Sequence, residues 1–434
     1  MLKRLQAPPY EALAAHLPAN RPPDAEVVSA VRAILEDVRA RGDAAVRDHT
    51  RRLDGVDLAP ERWEITAAER IAALERIPAA LLTALEVAIE RVRAFHRKQL
   101  QPGLLGRDDH GNGLGVRVVP LERVGIYVPG GKASYPSTVI MNAVPAVVAG
   151  VEDVVMVTPP GGSVDAVLAA AHLAGVNRML RIGGAQAVGA LAFGTATVPR
   201  VDKIVGPGNK YVTEAKRQLA GVVGVDMLAG PTEVLVIADD TADVRFVAAD
   251  LIAQAEHDED AAAWCVTTSE RIANALDAEL ERQLARAPRR AIAERSLRAH
   301  GLLVLVPSRQ AAIQVANLRA PEHLELVVED PWELVEQVRH AGAVFVGRFA
   351  TEAVGDYVAG PSHVLPTAGS ARYGSALGVQ DFVKRISVIG YSRDKLQADA
   401  PHIIALAEAE GLFGHAEAVR VRLQEKGEGR GTSK

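Results

Sequence analysis

The segment Asp250-Leu-Ile-Ala-Gln254-Ala-Glu-His257 places an amide and an imidazole three residues apart at the end of a helix predicted to start near Asp243. Val244, Val247, Ala248, Leu251, Ile252 and Ala255 recur at i, i+3 and i+4 and form one core-facing stripe, and Asp250, Gln254 and His257 fall outside it. At about 100° per residue, Gln254 and His257 lie about 60° apart around the axis and one turn apart along it. Both heads can therefore converge on one point, as in a metal chelate. Taken alone, the pair also reads as a solvated face ending in a satisfied histidine.

Other segments carry chemistry of their own. In Ala320-Pro-Glu322-His323, between a predicted helix and a strand, an acid and an imidazole stand side by side on an irregular stretch. That arrangement suits general acid–base work, because His titrates near neutrality and Glu can take a second proton; it also fits a surface accident. The strand-poor loop from Glu352 to Thr367 holds Asp356, a hard anionic oxygen, and His363, which reads as a structural or supporting residue more readily than as a ligand. Glu410 and His415 flank the turn Gly411-Leu-Phe-Gly414, which is expected to free both side chains from a helix surface; a polar helix cap is the other reading.

The elements that must position these residues follow from texture. Residues 24–50 and 67–101 have helical periodicity and read as scaffold. From Arg123 to Ala229 short apolar strands alternate with Ala-rich helices, the pattern of a parallel sheet covered on both faces. Three glycine turns follow strand ends there: Pro129-Gly-Gly-Lys132, Gly183-Gly-Ala-Gln186 and Gly206-Pro-Gly-Asn209. Exposed amides at such helix starts favour phosphate, and three in one domain point to a nucleotide. Lys132 is one residue out of register for a phosphate-binding P-loop and no Ser or Thr follows it, so that motif is rejected. Strands continue through Val234–Ile237, Ala263–Thr267 and Leu302–Val306, giving a second α/β lobe.

The expected fold class is therefore α/β: two Rossmann-like α/β domains, one inserted in the other, with small N- and C-terminal helical segments. The expected partition is a segment 1–23, a first domain from 24–124 and 234–377, an inserted domain 125–233, and a C-terminal segment 378–434 whose last nine residues are disordered.

Composition bounds the class of function. A chain of 434 residues with 48% apolar content buries large cores, and a net charge of −5 with interspersed signs argues against nucleic acid and membrane surfaces as partners. Cys265, the single cysteine, excludes internal disulfides and thiolate clusters, and its apolar strand reads as burying an inert thiol. No signal-type apolar run opens the sequence, so a soluble, cytoplasmic protein is expected.

Taken together the segments resemble histidinol dehydrogenases from about residue 24 to 423. The resemblance rests on Val128-Pro-Gly-Gly-Lys-Ala-Ser-Tyr-Pro-Ser137, Gly206-Pro-Gly-Asn209, Leu228-Ala-Gly-Pro-Thr-Glu233, Gln254-Ala-Glu-His257, Ala320-Pro-Glu-His323, Gly355-Asp-Tyr-Val-Ala-Gly-Pro361, His363-Val-Leu-Pro-Thr367, and Glu410 with His415. It implies oxidation of L-histidinol through the aldehyde to L-histidine with two NAD⁺, and a Zn²⁺ held by Gln254, His257, Asp356 and His415. Thr232, Gln254, His257, His323, Asp356, Glu410 and His415 are the implied substrate contacts, with Thr232 standing where the family commonly has Ser. His323 is implied as the base for the alcohol proton and Glu322 as the activator of water, while Tyr127, Gln186 and Asn209 match NAD-contacting positions that place NAD on the inserted domain. A homodimer is implied as well, with Glu410 and His415 reaching the partner's site. A zinc/NAD relative acting on another polar alcohol fits the same residues. A zinc hydrolase leaves the glycine turns idle, and a two-lobed solute-binding protein gives Glu322 and His323 no task.

Overall fold

The computed structural model describes residues 1–17, 24–130, 135–162 and 164–424. Lys132 and the tail 426–434, the subjects of two of the expectations above, lie outside them. The chain forms two compact units, Met1–Leu100 with Pro120–Phe382, and Gln101–Val119 with the chain from Val383 on.

The first unit holds two parallel sheets. In the five-stranded sheet the neighbours run Arg178–Leu180, Asp153–Val157, Arg123–Tyr127, Lys203–Val205, Gly224–Val225. In the six-stranded sheet they run Lys3–Gln6, Leu302–Leu305, Ala262–Thr267, Glu233–Ala238, His323–Val327, Ala343–Val346. Numbered within each sheet, both follow the doubly wound order 3-2-1-4-5, and the first strand of the chain is added at the edge of the larger one. Successive residues of Glu233–Ala238 enter opposite cores: Val234 and Val236 pack with the Val244–Ala255 and Glu270–Leu284 helices, and Leu235 and Ile237 pack with Arg309–Arg319. The α/β fold class is as expected.

The helices Ala25–Arg41, Asp43–Asp54 and Ala67–Arg76 do not join the domain resumed at residue 234, as the expected partition had it. Val27, Val31, Ile34, Leu35, Val38, Ala45, Val46 and Trp63 share one core with Tyr127, Val155 and Leu180 of the five-stranded sheet, and Arg70 donates to the carbonyls of Val176 and Asn177. An apolar stripe on a helix fixes that it packs, not which sheet it packs on. Nor is the N-terminal segment separate: Lys3–Gln6 pairs in register with Leu302–Leu305.

In the second unit Gly113–Pro120 pairs with Val383–Gly390, and the helices Arg393–Ala409 and Phe413–Gln424 pack together. Among the described residues no helix is long and apolar enough to cross a membrane.

Candidate active site

Asp243 caps the helix Val244–Ala255 by accepting the Arg245 amide, and the predicted apolar stripe is buried on the six-stranded sheet. Gln254 is fully buried rather than solvated. Its amide has two different partners: Nε2 donates to Thr232 Oγ1 at 2.8 Å, and Oε1 accepts from His323 Nδ1 at 3.2 Å. Thr232 Oγ1 donates in turn to Glu322 Oε2 at 2.6 Å. The result is a one-directional chain of hydrogen bonds from His323 through Gln254 and Thr232 to Glu322.

That chain fixes protonation. His323 Nδ1 faces two oxygens that can only accept, Gln254 Oε1 and the Glu233 carbonyl at 3.1 Å, so Nδ1 carries the proton and Nε2 presents a lone pair. Glu322 Oε2 accepts twice, from Thr232 and from the Glu233 amide at 3.0 Å, which leaves Oε1 as its working oxygen. Burial pushes the Glu322 carboxyl up to about 8, and burial pushes the His323 imidazole down to about 4. A carboxyl that shares its proton near neutrality and an imidazole that stays neutral form a matched acid–base pair.

The strand register sets this pair. His323 lies opposite Val234, so Glu322 falls beside Glu233 at the amino ends of their strands. His323 opens the strand His323–Val327 and is not on an irregular segment, as expected. Doubly wound sheets usually bind ligands at the carboxyl ends of their strands; here the acid–base pair occupies the opposite edge.

His257 follows the helix. Its Nδ1 lies 2.9 Å from the Ala253 carbonyl, which takes that proton and leaves Nε2 bare for a ligand. Asp356 stands on the short helix Glu352–Tyr357, not in an irregular loop, one turn after Glu352. His257, Glu352 and Asp356 offer ligand atoms within 4.8 Å of one another. Glu352 was not among the expected site residues, although its i, i+4 spacing to Asp356 was readable as a shared helix face. Glu352 Oε2 is buried without a hydrogen-bond partner, as is His363 Nε2; burial and the nearby Asp356 carboxylate hold the Glu352 carboxyl well above its usual range.

Glu410 and His415 stand on the second unit. Both are exposed. Glu410 caps the helix Arg393–Ala409, and His415 lies in the first turn of Phe413–Gln424, not in a free turn as expected. Helix propensity resumes directly after Gly411, since the Leu412 carbonyl accepts the amides of His415 and Ala416.

On the five-stranded sheet, Tyr127 and the turn 206–209 end neighbouring strands at the point where the strand order reverses. The Tyr127 hydroxyl accepts the Gly184 amide at 3.1 Å, and burial pushes the phenol up to about 12. Asn209 Oδ1 caps Lys210–Leu219 by accepting the amides of Tyr211 and Val212. Gly206 has φ +103°, and a Cβ there would lie 2.2 Å from the Tyr127 carbonyl oxygen, so only glycine lets these turns touch. Gln186 is fully buried and neither Oε1 nor Nε2 has a hydrogen-bond partner. A two-sided orphan amide beside a helix N-terminus is what a carboxamide or phosphate-bearing ligand would satisfy.

Cys265 lies inside the six-stranded sheet, fully buried, with its thiol pushed up to about 12 by burial. Native protein should resist alkylation and Cys265→Ala should keep kcat within about two-fold, whereas the unfolded chain should release one reactive thiol. Rapid loss of activity with iodoacetamide would contradict the buried assignment.

The Glu322 shift has a thermodynamic consequence in metal-free protein. Its folded pKa is raised from 4.5 to about 8, so the stabilising contribution is complete below 4.5 and is lost as pH rises towards 8. Melting temperature should fall between pH 5 and pH 9 more steeply for the native sequence than for Glu322→Gln. Parallel curves would show that the carboxyl is ionised throughout.

The fold and the site define an α/β enzyme in which a buried acid–base pair adjoins a cluster able to hold a cation, and a second sheet carries a cofactor-type switch point. The sequence pattern of histidinol dehydrogenases matches residues 19–423. The chain is 53% identical to the histidinol dehydrogenase of Synechococcus sp. over 399 residues, 91% of this chain and 92% of that one. It is 52% identical to that of Rhizobium meliloti over 412 residues, 94% and 95% of the two chains. The crystal structure of histidinol dehydrogenase from Elizabethkingia anophelis superposes with a TM-score of 0.92 at 36% identity, covering 98% of each chain. The chain belongs to the histidinol dehydrogenase family, and with it to the oxidoreductases of histidine biosynthesis.

Proposed function

We propose that this chain is the subunit of a cytoplasmic, zinc-dependent homodimer that oxidises L-histidinol through L-histidinaldehyde to L-histidine with two NAD⁺. The observation that carries the reading is the one-directional chain His323–Gln254–Thr232–Glu322, which prepares a base at His323 Nε2 and a second at Glu322 Oε1. The residues also fit the two absent groups. The bare His257 Nε2 and the Asp356 carboxylate belong to one cluster of ligand atoms, and with Gln254 Oε1 and His415 of a partner subunit they would give a nitrogen and oxygen donor set suited to zinc. The orphan Gln186 amide, Tyr127 and the Nδ2 of Asn209 are groups for NAD on the five-stranded sheet domain.

Bound NAD⁺ supplies the hydride acceptor for both oxidations, and bound Zn²⁺ anchors the imidazole and amine of the substrate. The side chains of this chain do the rest. His323 Nε2 takes the hydroxyl proton as the alcohol is oxidised. Glu322 Oε1 removes a proton from the water that adds to the aldehyde, and His323 then takes the hydroxyl proton of the hydrate. The hydrate route is the one available, because the thiol of Cys265 is sealed in the sheet. Thr232 and Gln254 hold both bases at fixed angles, Thr232 lines the substrate pocket, and Glu410 would serve the pocket of the partner subunit. A shared site is supported by the apolar surface of the second unit, where Ile389, Leu406 and Phe413 are exposed.

The test is NADH formed per L-histidinol consumed, on zinc-loaded and chelator-stripped protein. Two NADH per substrate, lost on stripping and restored by zinc, is the expected result. No NADH from L-histidinol alongside turnover of another amino alcohol would move the substrate to a relative of the same family.

A further inference from the structure

Glu233 is fixed by its side chain and grips both bases by its backbone. Its amide donates to Glu322 Oε2 at 3.0 Å and its carbonyl accepts from His323 Nδ1 at 3.1 Å. Its carboxylate is 3% exposed as a residue; Oε2 pairs with the Arg319 guanidinium and Oε1 accepts the Ala368 amide at 3.0 Å. Arg319 is 6% exposed, ends the helix Arg309–Arg319, and lies over the Trp264 ring at 4.9 Å. Ala320, with φ +51°, and Pro321 connect it directly to Glu322. The ion pair therefore closes a small ring: Arg319, Ala320, Pro321, Glu322, a hydrogen bond to Glu233, and the ion pair back to Arg319.

We propose that the buried Arg319–Glu233 pair is the positioning element of the Glu322–His323 pair, holding the peptide groups on which both bases hang. A buried ion pair is a poor source of stability, since an apolar pair of similar volume serves as well. What it supplies is direction. The planar guanidinium, stacked on Trp264, fixes the carboxylate of Glu233, and that carboxylate fixes the rotation of the strand end that presents its amide to Glu322 and its carbonyl to His323. With the pair removed, the strand end keeps its ladder partners but loses its lateral anchor, and a sub-ångström shift there misaligns both bases at once.

The inference rests on the roles given above to Glu322 and His323, so the experiment carries its own controls. In the zinc-loaded dimer, the double variant Glu233→Gln with Arg319→Met leaves no unpaired charge and retains an acceptor for the Ala368 amide. Its kcat for L-histidinol should fall about ten-fold or more while KM for NAD⁺ stays within about two-fold and zinc content is unchanged. His323→Ala and Glu322→Gln are measured alongside. If His323→Ala loses oxidation of L-histidinol, Glu322→Gln loses oxidation of added aldehyde, and the double variant keeps the native kcat, the positioning role is overturned while the acid–base pair stands. If the controls keep activity, the acid–base reading itself fails. Should the double variant not fold, Arg319→Lys decides: it keeps the charge but not the stacked plane, so a kcat at least about five-fold down with native KM for NAD⁺ supports the proposal, and a native kcat overturns it.

Discussion

Replacing His323 by alanine lowers kcat for L-histidinol by about a thousand-fold, equivalent to about 4 kcal/mol of transition-state stabilisation, with KM for NAD⁺ nearly unchanged. The size follows from the tautomer. Nδ1 is committed to the Glu233 carbonyl and Gln254 Oε1, and among the described residues no second imidazole is held in this way with a bare Nε2 beside the Glu322 carboxyl. Glu322→Gln has a different signature. The amide keeps the shape of the pocket but cannot accept a proton, so the alcohol step continues while the aldehyde step stalls. NADH yield then falls from two towards one per L-histidinol, and aldehyde accumulates. Measured with added aldehyde, the native enzyme should show an acid limb set by ionisation of the Glu322 carboxyl, which burial raises above its usual range, and Glu322→Gln should lack it. Equal losses in both half-reactions for the two variants would sink the division of labour.

Much of this was legible in the sequence, for identifiable reasons. Strand and helix alternation from Arg123 onward is a local signal, and so are the cap at Asp243 and the buried run around Cys265; each depends on neighbours within one or two turns. That Gln254 and His257 stand three residues apart at one helix end was readable from their spacing. What the sequence withheld is non-local. That Glu322 meets Glu233 and Thr232 depends on the register of His323 against Val234, fixed by a sheet whose strands lie far apart in the chain. The placement of the site at the amino ends of those strands runs against the usual rule for doubly wound sheets. The helices from Ala25 to Arg76 were assigned to the wrong sheet, because Val27, Ile34 and Leu35 would suit either core. Lys3–Gln6 gave no strand signal, being short, mostly exposed and charged, yet it extends the larger sheet.

Mixing two inactive proteins, one carrying His323→Ala and the other His415→Ala, restores about a quarter of native activity once subunits exchange. The arithmetic is that of random pairing. Half of the dimers are mixed, and in each mixed dimer one of two sites draws His323 from one subunit and His415 from the other, both native. The expectation rests on the shared site proposed above, which would draw Thr232, Gln254, His257, Glu322, His323 and Asp356 from the first unit of one subunit and Glu410 and His415 from the second unit of its partner. The exposed Ile389, Leu406 and Phe413 are surface that a partner would cover. Each parent alone stays inactive, one lacking its base and the other a zinc ligand, so recovered NADH formation reports only the mixed dimers. A mixture that exchanges subunits, shown by a tag on one parent, and still forms no NADH would place His415 in the site of its own chain.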